Sequence, residues 1–219
     1  DPSSERVLTD FYREFTGQPT DYRAVVREKK LLVLEGLFHS ELSWLEHLLE
    51  EIRRRRPLSD ALRQQAVRCA LKEIIGCFPV YRTYLRPDTG TISARDRAVV
   101  QEAIDAARRR RPDIQPEAWR LIGDLLLRPP AGRSEREFVW RFQQLTGPVM
   151  AKGVEDTAFY CFNRLISLNE VGGDPGSFGV SLDDFHAFCS RIQSEWPQTM
   201  LASATHDTKR GEDTRLRIG

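Results

Sequence analysis

Apolar residues recur at helical spacing from the beginning of the chain. Val7, Leu8, Phe11, Tyr12 and Phe15 fall on one side of a helix, and the polar segment TGQPTD then interrupts the pattern. The spacing therefore predicts a first amphipathic helix that ends at this segment.

A second apolar pattern covers residues 22–52 and predicts either one long helix or two helices separated near Gly36. Farther along, the arginine runs at 53–56 and 108–111 each precede a proline. Both runs predict helix ends, because the helix dipole favours cations in the last turn and proline cannot continue a helix.

Helix starts are indicated by capping residues and by proline at a first helical position. The predicted starts are Ser59, Ser93 with Asp96, Pro116, Ser134 with Glu137 in a capping box, and Ser181. The segment CFPVYRTYL at 77–85 is aromatic and β-favouring and contains Pro79, so we expect it to be extended and not helical.

From Gly147 onward the pattern changes. The apolar segment TGPVMAKG precedes a predicted helix in VEDTAFYCFNRL, the loop NEVGGDPGSFG leads to the helix that Ser181 begins, and TMLASA is a strand candidate. This alternation predicts a parallel α/β unit, in which the loops after the strands bear the functional side chains. We therefore expect helices through about residue 145 and a short α/β stretch beyond it.

Composition narrows the class of protein. The 219 residues have a net charge of +1 and are 40% hydrophobic and 30% charged, so no overall field attracts the chain to nucleic acid or to an acidic membrane. No apolar stretch is long enough to cross a bilayer, and no secretory signal is visible. The four cysteines lie outside any CxxC or metal-binding spacing, so we expect reduced thiols in a cytoplasmic protein, with no metal and no cofactor.

The pair His206 and Asp207 directly follows the last predicted strand. At a strand end, the carboxylate would stabilise positive charge that develops on a substrate, and the imidazole would donate to a substrate hydroxyl. In the alternative interpretation, Asp207 caps the helix that follows and His206 is a neighbour with its hydrogen bonds satisfied. One histidine and one aspartate are too few ligands to predict a metal site.

A second group of charged residues lies at the predicted turn from strand to helix. Lys152, Glu155 and Asp156 surround Gly153 there, and a loop position at a strand end suits contact between Lys152 and a substrate. The carboxylates alternatively do no more than offset the helix dipole. The glycines and the GK[ST] sequence of a phosphate-binding P-loop are absent.

Two further features leave alternatives open. Tyr81, Arg82 and Tyr84 suit stacking on a sugar or a nucleotide, and they equally suit an ordinary packed segment. The arginine runs allow a different class of function, a helical interaction or nucleic-acid-binding module whose binding would be sensitive to salt.

Three blocks of the sequence resemble the maltooligosyl trehalose synthases, a family of the α-amylase superfamily of glycoside hydrolases. The blocks are QQLTGPVMAKGVEDTAFYCFNRLISLNEVGGDP, TMLASATHDTKRGEDTRLRI and FPVYRTY. The resemblance is dense from about residue 143 to 219 and looser before it, where the family has a large helical insertion. It implies a mainly α chain, with a helical insertion domain at 1–145 followed by a short α/β slice of a (β/α)8 barrel at 146–219. Without the rest of the barrel, the one or two strands of this slice are expected either to pair irregularly or to stay unpaired.

The resemblance also implies an activity, that of an intramolecular transglucosylase, or glucosylmutase. Such an enzyme converts the reducing-end α-1,4 link of a maltooligosaccharide to an α,α-1,1 link with retention. It uses an Asp nucleophile, a Glu acid/base and a second Asp that stabilises the transition state. The HD of ATHDTKR matches the block with this last Asp, so Asp207 is the implied stabiliser and His206 the implied ligand of sugar hydroxyls.

The released glucose must stay bound and attack with its anomeric hydroxyl, which requires an acceptor site poor in water. The candidates for this site are Lys152, Glu155, Asp156, Tyr160 and Arg210. No residue matches the family's nucleophile or acid blocks, so we expect a fragment that is inactive by itself. The family further implies a maltooligosyl trehalose trehalohydrolase as a partner, and neither a nucleic acid nor a membrane.

Overall fold

The computed structural model describes residues 4–56 and 62–218, and most of these residues are helical. The α-helices are α1 (Glu5–Thr16), α2 (Tyr22–Glu35), α3 (His39–Arg55), α4 (Gln64–Gly76), α5 (Ala94–Arg110), α6 (Pro116–Leu127), α7 (Arg133–Met150), α8 (Phe159–Cys161), α9 (Leu182–Glu195) and α10 (Glu212–Ile218), with a π-helix at Ala151–Ala158 and a 3₁₀-helix at Ile166–Leu168. Within the described ranges no strand forms, and the β-type pairing is an isolated bridge between Arg86 and Thr91. The predicted mainly α class is therefore confirmed.

The chain divides into two compact units. The helical unit is Val26–Asp156, and the terminal unit combines Asp1–Val25 with Thr157–Gly219. The boundary near residue 145 was predicted for the modules of a longer enzyme, and it stays a prediction.

The core of the helical unit is formed by α3 to α7. Helix α3 packs against α7, and α4 packs against α5 and α6. Ile74, Phe138 and Phe142 are fully buried there, and Phe78 meets Phe142 edge to face with ring centroids 5.4 Å apart. Burial of each such side chain contributes about 1.5–3 kcal/mol, so this cluster supplies much of the unit's stability.

Several predicted helix boundaries are confirmed. The break near Gly36 separates α2 from α3, and the two arginine runs end α3 and α5. Ser93 Oγ accepts from the Asp96 backbone N–H at the start of α5, and Pro116 is the first residue of α6. These boundaries depend on local hydrogen bonding, which the sequence encodes directly.

Ser181 caps α9 as predicted, since its Oγ accepts from the Asp184 backbone N–H. The capping box at Ser134 is wrong. Helix α7 already begins at Arg133, and Ser134 Oγ donates to Glu51 Oε1 at 2.8 Å, because an ion-pairing neighbour across the fold competes with the local cap. The predicted cap at Ser59 lies outside the described residues.

The segment TGPVMAKG, which the predicted alternation of strands and helices required to be a strand, is helical, because α7 continues into it as far as Met150. Phe142, Leu145 and Val149 are all buried at helical spacing and extend the apolar stripe of α7 to its last turn. Pro148 lies inside this helix, where it has no N–H to donate. The chain then widens into the π-helix, so the predicted turn from strand to helix does not exist.

The strand candidate TMLASA does not form either. Residues 199–204 are non-helical and unpaired in strands, and Met200 and Leu201 are 95% and 89% exposed. A strand requires a neighbour to satisfy its backbone groups and cover its apolar face, and the described part of the chain offers none.

The terminal unit has a small aromatic centre. Tyr12 and Tyr22 both pack against Phe162, with ring centroids 5.4 and 5.2 Å away. Arg164 is nearly buried and ties the unit together, since its guanidinium donates to Glu5 Oε1 and to the Pro175 carbonyl. Because this centre is small, much apolar surface of the unit stays exposed.

Candidate functional site

The π-helix positions the charged group that the sequence placed at a turn. Lys152 Nζ lies 2.7 Å from Asp156 Oδ2, one helical turn away, and both side chains are about half exposed. Glu155 is half-buried and accepts a hydrogen bond from the Tyr81 hydroxyl. The structure therefore brings three predicted residues together and adds a tyrosine to them.

The extended segment that holds Tyr81 is fixed by two buried polar contacts. Segment 77–85 is not helical, as predicted. Gln143 of α7 makes two hydrogen bonds with the backbone of Leu85, accepting from its N–H at 2.6 Å and donating to its carbonyl at 3.1 Å. At the other end, Lys30 Nζ donates to the Phe78 carbonyl at 2.7 Å. These contacts keep the segment beside α7 without a strand partner.

Lys30 is an unusual anchor, because only 1% of its surface is exposed. Burial lowers the pKa of its ammonium group to about 7, although the nearby Cys77 opposes the shift. The sequence analysis missed Lys30, which stands in the run REKK that is typical of a solvated helix face. It also missed Gln143, whose role depends on a contact 58 residues away.

The aromatic side chains beside this cluster are accessible. Tyr81 is 45% exposed and Tyr84 is 70% exposed, and the Arg82 guanidinium lies 4.8 Å from the Tyr84 ring centroid. An exposed ring next to carboxylates and an ammonium group suits contact with a sugar, whose faces are apolar and whose edge hydroxyls bond to charged groups.

The terminal unit holds the His–Asp pair in a turn. His206 Nε2 lies 3.4 Å from Asp207 Oδ2, and the two side chains are 91% and 70% exposed. The strand expected before this pair does not form in residues 199–204, so in this chain the pair lies in a turn and not at a strand end. The alternative of a helix cap is wrong, since α10 begins only at Glu212.

Arg210 belongs to the same loop, and it contacts the segment NEVGG. Its guanidinium donates to the Asn169 carbonyl at 3.2 Å, and the backbone N–H of Lys209 donates to Glu170 Oε1 at 2.7 Å. Tyr160 belongs to α8, and its side chain is 56% exposed. Sequence reasoning missed Glu170, although it stands within a block that was singled out.

The first arginine run is largely neutralised. Arg53 and Arg54 both pair with Glu50, while Arg56 pairs with Glu135 at 2.7 Å. The pairs with Arg53 and Arg54 lower the pKa of Glu50 to about 2, chiefly through the hydrogen bond from Arg53. Arginines that already pair with carboxylates have little charge left to neutralise phosphates. This pairing weakens the alternative of a nucleic-acid-binding module.

Two kinds of site are not found in the part of the chain that the structure describes. No group of three or more His, Cys, Asp or Glu side chains is arranged to hold a metal ion. Among the helices of residues 4–56 and 62–218, none combines the length and apolar character that a bilayer crossing requires.

Exposed tyrosines beside carboxylates suit the binding of a carbohydrate, whose faces are apolar and whose hydroxyls bond to charged groups. Comparison with known proteins then points to one enzyme. Over its whole length the chain resembles a maltooligosyltrehalose synthase from Arthrobacter ramosus of known structure, with 37% identity and a TM-score of 0.79, and it covers 26% of that protein. A second solved structure, the DSM5389 glycosyltrehalose synthase, matches the whole chain with 30% identity and a TM-score of 0.63.

Curated relatives agree with the solved structures. Proteins of two Mycobacterium tuberculosis strains, which carry the provisional name maltooligosyl trehalose synthase, are 56% identical over 79 residues. That match covers 36% of this chain and 10% of each relative, and no family model matches the chain. The resemblance seen in the sequence is therefore confirmed, and the chain corresponds to a limited part of these synthases.

Proposed function

We propose that this chain is part of an intramolecular transglucosylase that acts on maltooligosaccharides. The enzyme would convert the reducing-end α-1,4 link to an α,α-1,1 link and so form a maltooligosyl trehalose. The observation that supports this most is the likeness of the whole chain to a maltooligosyltrehalose synthase of known structure. Isolated motifs such as a His–Asp pair would support it much less.

In this proposal Asp207 stabilises the transition state. Glycosyl transfer with retention passes through a state that resembles an oxocarbenium ion, and a fixed carboxylate favours the positive charge that develops. His206 would donate to a hydroxyl of the sugar in the cleaved position. The nucleophile and the acid/base would belong to other parts of the longer enzyme, so we expect no turnover by the 219-residue chain alone.

In the complete enzyme, we assign a role in holding the acceptor glucose to Lys152, Glu155 and Asp156 of the π-helix. The same role is assigned separately to Tyr160 and Arg210 of the terminal unit. The hydrogen bond from the Tyr81 hydroxyl supports a fixed orientation of Glu155. A charged group that is held in place can retain the released glucose until its anomeric hydroxyl attacks, which keeps water from completing a hydrolysis.

The finer architecture belongs to the same proposal. Residues 146–219 would join a (β/α)8 barrel in the complete enzyme, where TMLASA would find neighbouring strands. The product would be the substrate of a maltooligosyl trehalose trehalohydrolase, and the enzyme would work in the cytoplasm. All four cysteines are free thiols here, which suits a reducing compartment.

The decisive experiment compares Asp207→Asn with the unchanged full-length enzyme on maltopentaose, following the loss of reducing ends. We expect turnover to fall by about 100-fold to 1,000-fold, because the substitution removes the charge and keeps the shape. Asp183→Asn, at the exposed start of α9, is the matched control and should leave turnover unchanged. Near-normal turnover of Asp207→Asn, with the fold intact, would exclude the assigned role.

A further inference from the structure

The carboxylate of Glu170 binds the backbone of the loop that holds His206 and Asp207. Glu170 Oε1 accepts from the Lys209 N–H at 2.7 Å, and Oε2 accepts from the Arg210 N–H at 3.4 Å. Oε1 also accepts from the Val171 N–H at 2.9 Å. One side chain thus joins two segments that are about 40 residues apart in sequence.

Glu170 is suited to this task by its charge. Burial raises the pKa of the carboxyl group, but the backbone N–H groups of Lys209, Val171 and Arg210 outweigh burial and lower the pKa below its usual value. The group is therefore ionised at neutral pH. Hydrogen bonds to an ionised acceptor are roughly twice as strong as those between neutral groups.

The base of this anchor is itself fixed. The neighbouring residue Asn169 is 1% exposed, and its Nδ2 donates to the carbonyls of Phe159 and Phe162 at 2.7 and 2.6 Å. Phe162 is the centre of the aromatic packing in the terminal unit. Glu170 therefore extends from a rigid part of the unit to the loop.

The loop's own bonds shape the turn without attaching it elsewhere. Thr208 Oγ1 donates to the Thr205 carbonyl at 2.6 Å, and the Asp207 N–H donates to Thr205 Oγ1 at 3.3 Å. These contacts define a compact turn, but they join residues within the turn and so do not fix its position in the unit. Glu170 and the Arg210 bond to the Asn169 carbonyl join the loop to residues 169 and 170 of the unit.

We infer that Glu170 is a positioning residue, which fixes the 206–210 loop and thereby the place of the Asp207 carboxylate in the active site. The catalytic part of this inference rests on the proposed function, whereas the attachment of the loop does not. A misplacement of a reacting group by about 1 Å costs up to about 100-fold in rate, so an anchor at Lys209, two residues beyond Asp207, has a direct catalytic consequence.

The first test measures amide hydrogen exchange in the 219-residue chain with Glu170→Ala and Glu170→Gln. We expect the amides of Lys209 and Arg210 to exchange about 10-fold faster or more in Glu170→Ala. The Phe162 amide, which donates to the Ala158 carbonyl, is the internal control and should be unaffected. If all three amides exchange faster in Glu170→Ala, the substitution has loosened the whole terminal unit. The exchange of the Lys209 and Arg210 amides in the isosteric Glu170→Gln variant then tests the inference.

Unchanged exchange at Lys209 and Arg210 in both variants would overturn the inference, whatever the turnover of the full-length enzyme.

The second test uses the full-length enzyme and separates kcat from KM. We expect Glu170→Gln to lower kcat by about 10-fold to 100-fold while KM changes by less than about 3-fold, because positioning acts on the transition state. Glu195→Gln, an exposed residue of α9, is the matched control.

The outcomes of the two tests are distinguishable. If Asp207→Asn abolishes turnover and Glu170→Gln does not reduce it, the positioning role is wrong while the proposed function stands. If Asp207→Asn leaves turnover intact, the proposed function and the catalytic part of the inference fail together. The exchange rates then still decide whether Glu170 attaches the loop.

Discussion

Lys30 shows how a single residue can reverse the expectation that its sequence context creates. It is a lysine in a charged run, yet it is fully buried and donates to the Phe78 carbonyl. Burial lowers its pKa from 10.5 to about 7, since the low-dielectric interior disfavours the charged form. The residue therefore links the stability of the helical unit to pH.

The sign of this linkage follows from proton binding. Between about pH 7 and 10.5 the unfolded chain keeps the Lys30 proton and the folded chain releases it, so this group's contribution to stability rises with pH. We expect the free energy of unfolding of wild type, relative to Lys30→Met, to increase between pH 7 and 8.5 by at most about 1.4 kcal/mol per pH unit. Urea denaturation at several pH values measures it.

Lys72→Met, which removes an ammonium group paired with Glu35, is the control for loss of a lysine. The comparison stays below pH 9, because burial also raises the pKa of the Cys77 thiol and its titration would oppose the effect at higher pH. A difference between wild type and Lys30→Met that does not change with pH would contradict the assigned pKa.

The charged cluster on the π-helix can also be tested one residue at a time. In the full-length enzyme we expect Lys152→Ala and Glu155→Ala each to raise the share of hydrolysis over isomerisation, because a loosely held glucose leaves before it attacks. The ratio of released glucose to non-reducing product measures this share. Glu28→Ala, an exposed residue that pairs with Lys29, should leave the ratio unchanged, and an unchanged ratio in both test variants would remove them from the acceptor site.

At the scale of elements, the close packing of the π-helix against α2 requires a glycine at position 153. A Cβ at this position would lie 2.7 Å from Lys30 Cγ and 2.8 Å from Lys30 Cα. The turn therefore approaches the backbone of α2 more closely than any side chain allows. The approach brings the π-helix next to Lys30, the residue that anchors the extended segment at 77–85.

We expect Gly153→Ala to destabilise the helical unit by about 1–3 kcal/mol, because the added methyl group meets backbone atoms that cannot yield. Thermal or urea unfolding of the 219-residue chain measures the loss. Gly132→Ala is the matched control, since a Cβ there would meet no atom within 4 Å. Equal stabilities of the two variants would show that the π-helix does not pack as described.

At the scale of the whole molecule, the exposed apolar surface of the terminal unit is the main feature. Helix α9 has no buried residue, although it carries Leu182, Phe185 and Phe188 with 78%, 52% and 53% exposure. Such an apolar face is unusual for an isolated folded protein. It agrees with a chain that covers about a quarter of the synthase structure it matches, where further parts of the enzyme would cover it.

We expect the 219-residue chain to bind the dye ANS and to self-associate, and the pair of substitutions Phe185→Ser and Phe188→Ser to reduce both effects. Helix content should stay the same, because neither ring is buried in the structure. Dye fluorescence, size-exclusion chromatography and circular dichroism provide the measurements. Substitution of Phe78 and Phe142 with Ser, in contrast, should unfold the helical unit.

The sequence by itself determined the features that depend on neighbours along the chain. The caps at Ser93 and Ser181, the first turn at Pro116 and the helix ends at the arginine runs all form as expected, because their hydrogen bonds and dipole interactions are local. The resemblance to the synthases was also visible in the sequence, since long blocks of residues are far more specific than a motif of two.

Tertiary structure decided what depends on distant contacts. The segment TGPVMAKG is helical because Val149 completes a stripe buried against the core, whereas TMLASA stays unpaired because a strand needs a neighbour that these residues do not have. Lys30 is an anchor only because the Phe78 carbonyl lies within its reach, 48 residues away. Glu170 likewise binds a loop 39 residues beyond it, and no local pattern encodes a contact of that range.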